Sequence, residues 1–155
     1  MTPQISRADL ADPLLRDFLL AHLRDLAPTA PAESQHALDL DGLARLGVRL
    51  WAARSGGDVV GTGALATVAD ETGHEEIKSM RTDPARRGSG IASAVLTHLL
   101  ADARSRDVRR VSLETGSMEF FAPARRLYAR AGFEECEPFG TYRPDPHSTF
   151  MTLAL

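Results

Sequence analysis

A chain of 155 residues with 43% hydrophobic and 25% charged side chains fits one globular domain around one core. Its formal net charge of −3 argues against nucleic acid as the main partner, because phosphate backbones call for a positive surplus. The single cysteine, Cys136, excludes an internal disulfide, and no apolar run is long enough to span a bilayer. With no secretory profile in the first residues, the expectation is a cytoplasmic protein of one domain spanning residues 1–155, without membrane or metal.

Taken in order, Gln4 to Ser6 reads as a short strand. Asp9 or Asp12 then caps a helix running through Leu26, whose apolar stripe is Leu14, Leu15, Phe18, Leu19, Leu23 and Leu26. Pro28 and Pro31 end it. Ser34 to Leu46 is a weaker helical segment interrupted by Gly42. Val48 to Arg54 and Val59 to Val68 form a hairpin about the turn at Gly56 to Asp58. Glu75 to Thr82 is a strand of unusual polarity for mid-sheet, which hints at function. Its alternation puts residues 76, 78, 80 and 82 on one face. Ile91 to Arg106 is a helix with Ile91, Val95, Leu96, Leu99 and Leu100 on one side. Arg109 to Thr115 is the next strand and Glu119 to Ala131 the next helix, with Gly132 placed for a left-handed cap. A strand starts at Phe133, and Thr149 to Leu155 is the last. The strand–helix alternation of the second half argues for α/β structure with some parallel pairing.

The chemistry concentrates between Asp83 and Leu96, D-P-A-R-R-G-S-G-I-A-S-A-V-L. Two arginines and two glycines directly precede a helix. A helix start offers N–H groups without intrahelical partners and roughly half a positive charge. Glycines let a ligand approach the bare backbone, and arginine adds fixed charge, so the segment suits a diphosphate. Gly88 to Ser93 nearly spells the dinucleotide fingerprint, with Glu114 about where a ribose-binding acid would stand. The arginine pair, the length of the loop and its place after a hairpin argue against that reading, and no P-loop pattern occurs.

Arg87 to Ala92, R-G-S-G-I-A, resembles the R/Q-x-x-G-x-G/A acetyl-CoA signature of the GNAT N-acetyltransferases. Ala124 to Phe133, A-R-R-L-Y-A-R-A-G-F, is similar to that family's A-x-x-L-Y-x-x-x-G-F. The resemblance covers about Val48 to Leu155. It implies a mixed α/β fold with a central, mostly antiparallel twisted sheet of six to seven strands and about four helices. It further implies an enzyme moving an acetyl group from acetyl-CoA to a primary amine by direct attack. Loop N–H groups of Arg87, Gly88, Ser89, Gly90, Ile91 and Ala92 would bind the pyrophosphate. Met80, Arg81 and Thr82 would pair with the pantetheine arm, and a backbone N–H near Met80 would polarise the carbonyl. Arg86 either reaches a phosphate or is a solvated charge. Tyr128 matches the tyrosine that protonates the departing thiolate, a role open to a phenol of ordinary pKa near 10. A base must also take the amine's proton. Glu76 is the first candidate; an ion pair with Lys78 is its competing role, and Glu114, Glu75 and a water chain stand in reserve. Phe121 replaces an asparagine common in the family.

The five histidines show no metal-ligand spacing. His36 and His147 are candidates to line a substrate cleft, and Tyr142 and Arg143 sit in a Pro-rich loop of similar potential. Cys136 reads as structural. The resemblance implies a small-molecule or peptide amine as acceptor, and it allows a homodimer, since family members often dimerise. A non-catalytic acyl-CoA-binding sensor is the alternative.

Overall fold

The computed structural model describes residues 2–45 and 47–155. Strands β1 (Gln4–Arg7), β2 (Val48–Ser55), β3 (Asp58–Thr67), β4 (His74–Thr82), β5 (Arg110–Gly116), β6 (Glu134–Glu135) and β7 (Ser148–Ala154) form one sheet in the order β1-β2-β3-β4-β5-β7-β6. Every neighbouring pair is antiparallel except β4–β5, which is parallel and joined by a helical crossover. The helices are α1 (Pro13–Leu26), the single turn α2 (Leu40–Leu43), α3 (Ile91–Ser105) and α4 (Ala122–Arg130).

Strand alternation sorts the core into two layers. Along β2, Trp51 and Ala53 face a cluster built with Val95, Leu99, Val111 and Tyr128. Leu50 and Ala52 face the other way, onto Leu15 and Leu19 of α1. Helices α3 and α4 thus cover one face of the sheet, and α1 and α2 cover the other. Helix α1 starts on Asp12, whose carboxylate accepts from Leu14 N at 2.9 Å. Its buried stripe is narrower than the sequence implies. Leu15 and Leu19 are buried, whereas Leu14 is 55% exposed, because it stands one residue, about 100°, around the helix from Leu15.

The expected helix from Ser34 to Leu46 shrinks to one turn. Asp39 caps it by accepting from Gly42 N at 2.8 Å, and the preceding residues are held in an irregular path by Gln35, whose amide donates to the carbonyls of Ala27 and Ala30. Leu46 lies outside the described residues. The helix expected from Glu119 opens as a 3₁₀ turn and becomes α-helical at Ala122. At its end Gly132 takes φ 103°, and the N–H groups of Gly132 and Phe133 close on the carbonyls of Ala129 and Tyr128. That double closure locks the last turn of α4, and with it Tyr128.

Two departures from regular sheet geometry make room for a site. The β4–β5 ladder runs only from His74↔Arg110 to Ile77↔Leu113, and beyond it the two strands continue unpaired with each other. On the other edge of β4 the register with β3 slips between Thr62 and Ala64, which pair with Arg81 and Lys78. Ser79 sits in this bulge at φ 55°, and buried Thr62 holds it by donating to the Ser79 carbonyl at 2.8 Å. A bulge shifts the alternation by one residue. The expected common face of residues 76, 78, 80 and 82 therefore breaks. Ile77 and Met80 both pack into the α3 layer, while the Lys78 amine reaches the carbonyl of His36 in the other layer.

Gly63 of β3 lies beneath α3. A Cβ there would stand 2.7 Å from Val95 Cγ1 and 2.8 Å from Met80 Sδ. Gly63→Ala is expected to lower stability by about 1–3 kcal/mol through overpacking, read as a reduced urea midpoint.

Candidate active site

A cavity of about 680 Å³ passes through the opening between β4 and β5. On one side it is walled by the start of α3 and by α4. On the other it is walled by α1 and the segment after it. Met80, Arg81, Thr82, Arg87, Gly88, Gly90, Ile91, Ala92 and Tyr128 all line it. The structure thus brings together most of the residues singled out in the sequence. Ser89 and Glu76 are not among the lining residues, and the Ser89 hydroxyl turns back to the Arg86 carbonyl.

At the α3 end, Gly88 and Gly90 both adopt left-handed φ, 81° and 85°, and nothing lies within 4 Å of where a Cβ would be. Such a turn aims successive N–H groups into an open concavity at the positive end of a 15-residue helix. The two arginines before it divide their roles. Arg86 is held by Asp58 at 3.3 Å and by Asp83 at 3.6 Å. Arg87 makes no ion pair among the described residues and lines the cavity. The open cradle and the unspent cation fit a pyrophosphate.

Tyr128 is 5% exposed, inside the α3–α4 layer, with its ring 5.7 Å from that of Phe133. Burial pushes its phenol well above the ordinary value, so it keeps its proton at any working pH. Phe121 packs its ring over Gly116, where a Cβ would stand 2.0 Å from Phe121 Cδ2. The phenylalanine at the customary asparagine position is therefore a lid on the end of β5. Arg125 ties the same loop down, donating to the carbonyls of Gly116 at 2.7 Å and Met118 at 2.9 Å.

The polarity of β4 resolves into tertiary pairs. Glu75 accepts both arms of Arg106 at 2.7 and 2.8 Å. Glu76 accepts from the Tyr142 hydroxyl and lies 3.1 Å from the Lys78 amine, which is itself 2.6 Å from Tyr142 Oη. Burial, then the Glu76 charge, raises the Tyr142 pKa. Glu114, on the end of β5 that has parted from β4 but still pairs with β7, lines the cavity instead. Its pKa is raised, chiefly by burial; the Ser148 hydroxyl, His36 and Lys78 pull it back in part, and Glu76 adds to the rise.

Around the α1 side, His22 and Asp25 join the wall. The sequence reading missed them, although their one-turn spacing on α1 carried a signal. His36 and His147 also line the cavity. Ser34, His147 and Asp145 come together, but the serine at 3.5 Å and the aspartate at 3.1 Å both approach Nδ1. A nucleophile–base–acid relay needs opposite ring nitrogens, so this trio is not one. Cys136 is half-buried, away from the cavity, and burial raises its thiol pKa. No helix among the described residues is long and apolar enough to cross a membrane.

Comparison with known proteins agrees with this geometry. The acetyltransferase (GNAT) family model matches residues 15–133. The chain is 40% identical over 151 residues to the uncharacterized N-acetyltransferase YedL of Escherichia coli (strain K12), covering 97% of this chain and 94% of that protein. It is 46% identical over 134 residues to the uncharacterized N-acetyltransferase YsnE of Bacillus subtilis (strain 168), covering 86% and 87%. Among solved structures, a candidate acyl-CoA N-acyltransferase from Klebsiella pneumoniae superposes with a TM-score of 0.78 at 32% identity, over 99% of this chain and 97% of that one. A left-handed glycine cradle at a helix start, a parallel strand pair that parts beside it, and relatives matched along nearly their whole length place this chain in the GNAT family of N-acetyltransferases.

Proposed function

We propose that the protein transfers the acetyl group of acetyl-CoA to a primary amine by direct attack, without an acyl-enzyme. The observation that carries this reading is the single cavity joining the glycine cradle, through the parted strands, to Glu114 on the far side. The pyrophosphate rests on the N–H groups of Arg87 to Ala92 with Arg87 beside them. The pantetheine arm runs along Met80 to Thr82, in the place where β5 would otherwise pair. The thioester then sits at the bulge, where the Met80 N–H polarises its carbonyl.

An ammonium acceptor must first lose a proton. Glu114 takes it, since its raised pKa makes it a stronger base than an exposed carboxylate and it faces the cavity. Glu76, the first candidate on sequence grounds, is engaged by Tyr142 and Lys78 and positions that pair beside Glu114. The amine nitrogen attacks the acetyl carbon, the new C–N bond forms and the C–S bond breaks. The sulfur leaves with the electron pair and takes a proton from the Tyr128 hydroxyl, while the surplus proton on the new C–N nitrogen passes to solvent, which reprotonates the phenolate. An amide and free coenzyme A thiol result.

Thiol release with a panel of amines tests the reading directly; acetyl-CoA binding with no release on any amine would overturn it. Tyr128→Phe is expected to lower kcat more than tenfold while acetyl-CoA affinity, measured by calorimetry, is kept. An unchanged kcat would assign the proton to another group.

A further inference from the structure

The acceptor half of the cavity holds an unused recognition group. Bulged β4 sends the Arg81 side chain away from Met80, into the α1 layer, where its guanidinium lies 5.2 Å from the centre of the Phe18 ring. The side chain is only 8% exposed. Its Nη1 donates to Asp25 at 2.8 Å, but that carboxylate is 48% exposed and shared with solvent. Arg81 Nε is buried with no partner, and Nη2 has no acceptor among the described residues. A buried donor left unpaired is costly, and a guanidinium packed beside an aromatic ring has less freedom to lose when it binds a planar oxygen pair. His22 stands beside it, with a pKa pushed down to about 4 by burial and then by the Arg81 charge. Its ring is therefore neutral near pH 7, and its one N–H adds a donor to the same wall.

Across the cavity the chemistry is complementary. Glu114 lines the cavity there, and the Ser148 hydroxyl, on the strand position opposite Gly116, is close enough to pull its pKa down. One end of this half thus offers donors to an anion, and the other offers acceptors to an amine. We infer that the acceptor is an amine that also bears a carboxylate, received by the edge of the Arg81 guanidinium with His22 beside it, while its amine faces Glu114. Free amino acids and their near relatives have this form. The inference rests on the acetyl-transfer reading above.

The test pairs each α-amino acid with its own amide as acceptors for the wild-type enzyme and acetyl-CoA. Losing a charge-assisted contact predicts a kcat/KM for the best acids about ten- to a hundredfold above their amides. Calorimetric titration of the same acid and amide into protein saturated with coenzyme A should show the same preference without turnover. In Arg81→Gln the acid–amide ratio should collapse to within about threefold. Amides and simple amines that react as well as the acids would overturn the carboxylate assignment and leave acetyl transfer standing. Absence of thiol release with every amine would overturn both. Because the wild-type comparison decides alone, a variant that fails to fold does not rescue the inference.

Discussion

Glu114→Gln should lower kcat by about a hundredfold or more, the usual range for removal of a general base, with little change in the KM for acetyl-CoA. The wild-type rate should fall as pH drops through the raised pKa of Glu114, because only the carboxylate accepts a proton. The variant should lose that acid limb. Stability gives an independent sign. A carboxyl whose pKa is raised on folding contributes most below its unfolded value, and that contribution is lost as pH rises through the folded one. At pH 7 the buried charge is therefore a burden, and Glu114→Gln should leave the thermal midpoint equal or higher. A loss of activity together with a lower midpoint would mean a structural role instead. Glu76→Gln makes the contrast, since it removes the negative charge that pairs with Lys78 and weakens the acceptor for Tyr142. It should lower stability, and its effect on rate should be smaller than that of Glu114→Gln.

The second large effect concerns the cofactor end. Arg87→Glu should raise the KM and Kd for acetyl-CoA about a hundredfold while leaving kcat at saturation close to wild type. Arg87 has no ion pair among the described residues, so its charge is available to the ligand, and reversal adds repulsion to the lost contact. The effect should shrink as salt is raised, because the site is open to solvent. Arg86→Glu serves as the control. Its guanidinium is already shared by Asp58 and Asp83, so the expected change in Kd is severalfold at most. Equal effects from the two reversals would displace the pyrophosphate from this turn.

Much of this was legible in the chain because the signals are local. Ile91, Val95, Leu96, Leu99 and Leu100 repeat at helical spacing, and all are buried in α3. Gly132 directly follows the last helical residues and takes the left-handed cap the sequence asks for. What escaped depends on partners distant in the chain. The bulge at Ser79 carries no glycine to advertise it; the offset with β3 and the buried Thr62 beneath create it. With the alternation shifted there, neither the packing of Met80 against α3 nor the reach of Arg81 to α1 could be counted off the strand. The tertiary partner of Glu76 was hidden for the same reason. Lys78, two residues on, offers one partner for that carboxylate, but Tyr142 lies 66 positions away.

The irregularity at Ser79 has a genetic corollary. One residue there decides the address of everything after it on the strand, so a single-codon deletion should be far more damaging than any substitution at that site. Trimming the chain between Lys78 and Met80 would steer a thioether into the charged half of the molecule and a guanidinium into the oily half. Descendants of this protein are thus freer to trade the side chain at Ser79 than to change the number of residues in β4.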